Sequence, residues 1–386
     1  MPENRKPGLF LIIVITALMI KLSLFAFAAV HAPEGKMTPD SYGYLKLSNM
    51  LVSKGFFANQ DGTDYEVFRT PGYPLFLAVF HGFLKIPLDG IVLIHIAMSV
   101  LAAFVVYRTA LLIAPGIAFL SAVIILFDPP ITIYSMTILS DSLFLLLISL
   151  FMFFFVSYLK GKKAAHLILS AFILAAAAYV RPVAYYLGFL LPLVVLYAGG
   201  RGNFRKSLKH AVIFIAVVCF TVGLWHVRNY VKCNDLVFCS SDKHNLTEFG
   251  LLKSYGRNTD PHTQGMAPLP YYINVTSRCL MSLMTRPGNF KYFHYTPLTI
   301  AGNVIGYPWM VFWLSGFILG ALKCGRNIYI QFMLFVTLYF IAGSVIGQMW
   351  FVDPRLRMAM MPFIAIVSAY GWVNLYKSIT AAKVSG

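Results

Sequence analysis

Charge is scarce in this 386-residue chain: 12% of positions are Asp, Glu, Lys or Arg, against about 25% in an average soluble domain. Acids are scarcest, 14 against 31 Lys and Arg. The sequence shows no solenoid-type repeat and no low-complexity tract, which sets aside arrays and disordered tails. The five cysteines say little, and no Cys/His spacing reads as a metal site. Cys219 and Cys324 lie in or beside apolar runs; Cys233, Cys239 and Cys279 lie in a polar segment, where Cys233 and Cys239 could close a small disulfide in an oxidising compartment. What the chain has instead is apolar sequence. It is 59% hydrophobic, with a mean hydropathy of +0.73, in runs of about 20 residues, the length that crosses a bilayer. Backbone polar groups in lipid must be satisfied internally, by helices or a closed barrel. The runs are continuous rather than alternating, so an all-α polytopic membrane protein is predicted.

The net charge of +17 reads as an orientation signal rather than a nucleic-acid surface. Lys and Arg collect in short loops between the runs: Arg5 and Lys6; Lys160, Lys162 and Lys163; Arg201, Arg205, Lys206 and Lys209; Lys323 and Arg326; Lys377 and Lys383. The positive-inside bias places these loops and both termini in the cytoplasm. The first run, about residues 8–30, lacks a small-x-small cleavage site and reads as a membrane anchor.

An outer loop follows over about 31–70. Within it DSYGYLKLSNMLVSK (40–54) has apolar or aromatic residues at 44, 45, 47, 50, 51 and 52, the pattern of an amphipathic helix on the membrane surface. Residues 58–66 form a polar turn region. Three apolar stretches come next, 72–86, 89–113 and 117–135; parity makes one of them interfacial or broken, and 72–86, flanked by Pro74 and Pro87, is the candidate. Later spans fall at about 141–159, 164–180, 183–199, 210–227, 298–320, 327–347 and 359–376, about ten in all. The organisation predicted is a transmembrane module over 1–227, an extracytoplasmic loop region over 228–297 and C-terminal transmembrane helices over 298–386.

On this topology the outer face gathers Asp40, Arg69, Asp141, Arg181, Arg228, Arg355 and Arg357 at span ends. Ionisable residues at bilayer depth usually serve a partner, a cavity or a substrate. Each also has a plainer reading. Asp40 and Asp141 fit helix N-caps, with Ser140 as a rival to Asp141, and the arginines fit snorkelling anchors. Asp128, followed by Pro129 and Pro130, reads as turn chemistry; Asp64 and Glu66 read as solvated loop charges. The functional reading combines a carboxylate able to deprotonate an acceptor with guanidiniums able to hold a phosphate leaving group.

The order of motifs decides between these readings. DSYGYL at 40–45, RTPGYPLFLA at 69–78, LSDSLF at 139–144, YVRP at 179–182, HVRNY at 226–230, then DPRLR at 353–357 and MPF at 361–363 resemble the GT-C glycosyltransferases. The likeness is to their dolichyl-phosphate-mannose protein mannosyltransferase-like and lipid A aminoarabinose transferase-like branch, and it runs over about residues 1–376. It implies a GT-C-like bundle of about ten helices that moves a sugar from a polyprenyl-phosphate donor to an acceptor lipid, glycan or protein at the outer face, in a bacterial cytoplasmic membrane. By the same resemblance Asp40 matches the first-loop catalytic acid, Asp141 the acid of the second outer loop, and Arg355 the arginine of the last outer loop. Arg69, Tyr42, Tyr44, Arg181, Arg228 and Arg357 are the further candidates for binding donor phosphate or acceptor. No cofactor is expected beyond the lipid-phosphate sugar as substrate; a divalent metal stays open. Two departures leave the acceptor open as well. Aminoarabinose transferases carry acid-Lys-Pro where this chain has Arg69-Thr70-Pro71, and protein mannosyltransferases have an adjacent acidic pair where Ser41 follows Asp40. The alternatives are a polymerase or ligase of lipid-linked glycans with the same fold, and a transporter or flippase, which should show a repeated half and mid-membrane polar residues.

Overall fold

The structure, a computed structural model, describes residues 7–200, 203–244, 263–286, 296–347 and 353–385. Of the orientation signals, Arg5, Lys6 and Arg201 lie outside the described residues, as do parts of the 228–297 loop region.

Every regular element named here is helical. The chain runs through α1 (Pro7–His31), α2 (Pro39–Lys54) and α3 (Gly72–Leu77), which continues as a π-helical turn over Ala78–Phe83. It goes on through α4 (Leu88–Ile113), α5 (Pro115–Leu126), α6 (Pro129–Tyr134), α7 (Asp141–Gly161), α8 (Ala164–Val180), α9 (Val183–Gly199) and α10 (Phe204–Cys233). After α11 (Ser240–His244) come α12 (Pro268–Thr285), α13 (Thr296–Leu322), α14 (Ile328–Gly347), a 3-10 turn over Pro354–Ala359 and α15 (Met361–Ser385).

Among the described residues six helices are long and apolar enough to cross a membrane: α1, α4, α7, α10, α13 and α14. Together with shorter apolar helices they make a multi-pass, all-α membrane protein. The shorter apolar helices are Gly72–Phe83, Pro115–Leu126, Ala164–Val180 and Val183–Gly199, in keeping with a bundle of about ten in which several runs are short or broken. Residues 72–83 and α5 have 12 residues each, about 18 Å of helix at 1.5 Å per residue, against about 30 Å of hydrocarbon. The run 117–135 stops at Phe127 because Asp128 caps α6 and Pro129 and Pro130 cannot continue α5. α8 and α9 have 17 residues each and join at Arg181-Pro182, where the helix must break.

α15 is the core element. Its first turns, from Met361 to Ala369, are buried, and it packs on α13, α14 and α5. α7 lies between α4 and α8, while α10 covers α8 and α9. Phe155 stacks on Phe332 at 4.6 Å, and Phe144 meets Phe340 edge-on at 6.3 Å. These rings tie α7 to α14 at two levels, Phe144–Phe340 toward the Asp141 end of α7 and Phe155–Phe332 toward its Gly161 end, and aromatic pairs of this kind add about 0.5–1.5 kcal/mol beyond area burial.

The surface helix expected at 40–54 is α2, begun one residue earlier. Its cap is Thr38, not Asp40: Ser41 N–H donates to Thr38 Oγ1 at 3.3 Å, and Thr38 N–H to Ser41 Oγ at 2.9 Å. Pro39 takes the first helical position, and Gly55, in the left-handed region at φ 74°, ends the helix. Asp40 is therefore released from capping and its carboxylate is available for tertiary contacts.

Candidate active site

Asp40 and Asp141 both stand in the first turn of a helix, α2 and α7, where the helix dipole favours a negative charge. Two glycines let the segments around the site approach closely, Gly43 on α2 and Gly72 at the start of α3. A Cβ on Gly43 would lie 3.2 Å from Arg69 Nη2, so the bare glycine makes room for that guanidinium on α2. A Cβ on Gly72 would lie 2.5 Å from the Tyr179 carbonyl oxygen, so glycine lets the start of α3 touch the end of α8.

Asp40 is held by two arginines from distant parts of the chain. Arg69 Nη2 lies 3.1 Å from Oδ1, and Arg355 Nη2 lies 3.4 Å from Oδ2. Burial acts to raise the Asp40 carboxyl, but Arg355 and then Arg69 outweigh it and hold the group below the usual carboxylate range. Arg355 is itself pulled between carboxylates. Its burial disfavours charge, yet Asp141, Asp40 and Asp353 together push its basicity above the ordinary guanidinium value. The Arg69 guanidinium lies over the Tyr44 ring at 4.6 Å. Its backbone is set by Glu66, whose Oε1 accepts from the N–H groups of Phe68 (2.5 Å) and Arg69 (2.9 Å). Glu66 is buried, so the solvated-charge reading fails for it: the carboxylate turns inward to satisfy two loop amides. Asp64 remains an exposed loop residue.

Asp141 is sealed. It is 2% exposed, and Arg181 Nη1 closes on its Oδ1 at 2.5 Å. Arg181 arises at the α8–α9 break, where its own N–H still donates to the Ala177 carbonyl at 2.8 Å.

These groups surround a cavity of about 640 Å³. Asp40, Tyr44 and Arg69 form one wall and Arg181 another. α14 supplies Tyr339, Gly343 and Ile346, α9 supplies Tyr186, and the mouth carries Ser241 and His244 of α11. Asp141 does not line the cavity and reaches it only through Arg181. Arg355 is not itself a lining residue; it reaches the site through its pair with Asp40.

Three sequence candidates lie apart. Tyr42 is exposed on the outer side of α2. Arg228 donates to the carbonyls of Glu66 (2.7 Å) and Phe57 (2.8 Å) and lies over Trp225 at 4.6 Å, clamping the 57–66 turn. Arg357 is 1% exposed and donates to the carbonyls of Leu283 (2.7 Å) and Arg286 (2.9 Å). Ser241 and His244 were not legible beforehand. Their segment reaches the site because Ser240 and Ser241 N–H groups donate to Val67 and Phe68 carbonyls, at 2.9 and 3.1 Å. Asp128, read as a turn residue, caps α6 by accepting from Ile131 N–H at 3.2 Å and is fully buried. Cys233 and Cys239 carry thiols; Cys239 Sγ lies 3.2 Å from Ser241 Oγ. Among the described residues no group of three or more His, Cys, Asp or Glu side chains is gathered as for a metal ion.

The archaeal oligosaccharyltransferase AglB from Archaeoglobus fulgidus, solved with an inhibitory peptide and a dolichol-phosphate, superposes with a TM-score of 0.59 at 11% identity over 98% of this chain. ArnT from Cupriavidus metallidurans, solved with undecaprenyl phosphate, gives 0.53 at 13% identity over 97% of this chain. The fold is that of the GT-C membrane glycosyltransferases. The chain spans 51% of the AglB chain and 63% of the ArnT chain. The family described as dolichyl-phosphate-mannose-protein mannosyltransferase matches residues 69–226, under half of the sequence. That segment includes Arg69, Asp141 and Arg181 but neither Asp40 nor Arg355. No curated protein sequence matches the chain.

Proposed function

We propose that this GT-C protein transfers a sugar or glycan from a polyprenyl-phosphate-linked donor to an acceptor at the extracytoplasmic membrane face. The observation that carries the reading is the Asp40 carboxylate held between Arg69 and Arg355 on the wall of a cavity that Arg181 also lines. The resting ion pairs occupy the guanidiniums a lipid phosphate would need. A donor phosphate exchanges with the carboxylates for those forks, since both anions match guanidinium geometry. As Arg69 and Arg355 turn to phosphate, Asp40 loses the charges that depress it and becomes a better base.

In the reaction an acceptor hydroxyl or amine gives its proton to Asp40 while its oxygen or nitrogen bonds to the anomeric carbon. The bond from that carbon to the phosphate oxygen breaks, and its electron pair leaves with the polyprenyl phosphate. The negative charge developing there is what Arg355 and Arg181 stabilise. Asp141 acts through Arg181, fixing it at the cavity. The carrier's tail runs down the seam between α9 and α14. The main cavity opens between the outer ends of these helices, and a second space of about 320 Å³, lined by Leu193, Tyr197, Phe332 and Phe335, lies further along the same pair.

Labelled polyprenyl-phosphate sugar in vesicles tests the reading. Label should pass to a lipid, glycan or peptide acceptor, and an intact donor pool under every acceptor would contradict it. Sidedness is tested by cysteine labelling of intact cells: Asp61→Cys should react from outside and Lys162→Cys should not.

A further inference from the structure

Arg355 is aimed by a carboxylate outside the cavity lining. Asp353 opens the 354–359 turn and is 6% exposed. Its Oδ1 accepts from the Arg355 backbone N–H at 2.8 Å and from the Tyr134 hydroxyl at 3.1 Å. Tyr134, 1% exposed, is the last residue of α6, and α6 is itself anchored. Asp128 caps its first turn, and Lys21, buried in the middle of α1, donates from Nζ to Thr132 Oγ1 at 3.0 Å. At the other end of the turn Arg357 is fixed on the Leu283 and Arg286 carbonyls. The turn is thus held on both sides of Arg355.

Asp353 stands two residues from a guanidinium that Asp40 also needs. A buried carboxylate with a cation in reach takes the charge-assisted pair over a single amide bond. Bonds from the Tyr134 hydroxyl and the Arg355 amide instead engage Asp353 through one oxygen and keep it turned to the backbone. We propose that Tyr134 and Asp353 are positioning residues: the Tyr134 hydroxyl holds the Asp353 carboxylate on the backbone of the 354–359 turn, so that the Arg355 guanidinium stays on Asp40 and faces the donor phosphate. The phosphate part of this inference rests on the proposed function.

The test measures binding of a short-chain polyprenyl phosphate to the full-length protein in detergent, beside its thermal unfolding. Tyr134→Phe should weaken binding about tenfold, the scale of one misdirected hydrogen bond to a charged group, with little change in unfolding temperature. Adding Asp353→Asn removes the competing charge but keeps an acceptor for the turn, so the double variant should recover to within about threefold of the native protein. A packing role for Tyr134 predicts the opposite, a second loss on top of the first. Native binding by Tyr134→Phe, or a double variant no better than the single, overturns the inference. If Tyr134→Phe does not fold, Asp353→Ala, which removes the shared acceptor, decides: a tenfold loss of binding that Asp353→Asn does not show supports the inference, and native binding by Asp353→Ala overturns it. Arg355→Lys separates the two levels. Weakened binding there with native binding by Tyr134→Phe defeats the positioning claim alone, whereas native binding by Arg355→Lys defeats the phosphate role and the inference with it.

Discussion

Two sets of arginines look alike in sequence and differ in what they hold. Arg228 and Arg357 end on backbone carbonyls, of Phe57 and Glu66 in one case and of Leu283 and Arg286 in the other. Arg69, Arg181 and Arg355 end on carboxylates. A guanidinium satisfied by carbonyls is part of the scaffold, because no anion can replace those partners without undoing a loop. A guanidinium paired with a carboxylate can exchange that partner for a phosphate. The contrast turns seven undifferentiated charges into a frame and a site.

Breaking the frame should have the largest effect. Arg357→Ala removes two hydrogen bonds from a buried guanidinium and a ring contact with Trp313 at 5.1 Å, and should cost about 3–6 kcal/mol, at about 1.5–3 for each hydrogen bond to a charged group. Loss of folded protein on size-exclusion is the expected outcome; native yield and native melting would erase the distinction. Arg355→Ala, two residues away, should melt near the native temperature and lose about 10²–10³-fold in transfer, as for removal of one oxyanion-type donor. A large melting shift with proportionate activity loss would move Arg355 into the frame.

The pH profile sharpens the comparison further. Arg355 and Arg69 hold Asp40 low against the effect of burial, so its ionised form favours folding. That contribution is present above the unfolded value, about 3.9, and is lost as pH falls through the lower folded value. In Arg69→Gln one lowering charge is gone, so the acid limb of the activity profile should move up in pH, read from rates across about pH 3–7. Arg228→Gln should leave the limb where it is. The smallest effect belongs to Gly43→Ala, whose methyl would sit 3.2 Å from Arg69 Nη2; a shift of a few tenths of an ångström should slow transfer a few-fold with unchanged melting.

The sequence carried the membrane class, the surface helix and the family of folds, because apolar run length and the order of motifs along the chain are local signals. Asp40, Arg69, Arg181 and Arg355 could be nominated from position at span ends, and Tyr44 from the resemblance. What could not be read was partnership. Whether an arginine meets a carbonyl or a carboxylate depends on contacts such as Arg355 to Asp40, 315 residues apart, and Tyr134 to Asp353, 219 apart. Asp128 and Glu66 looked like surface punctuation because turn chemistry and burial share the same residue types. Lys21 was hidden inside an apolar run that one charge does not interrupt. The end of the 117–135 run could not be read, because Pro and a capping acid cut that apolar stretch into α5 and α6.

The most direct measurement is transfer by Asp40→Asn alongside polyprenyl-phosphate binding. Thr38 and Ser41 cap α2, so the variant should fold and insert normally. Binding should hold or tighten, because Arg69 and Arg355 no longer face a competing charge. Turnover should fall by about 10²-fold or more, as for loss of a positioned base. Near-native turnover in Asp40→Asn would contradict the account and leave the carboxylate as no more than a resting partner for two arginines.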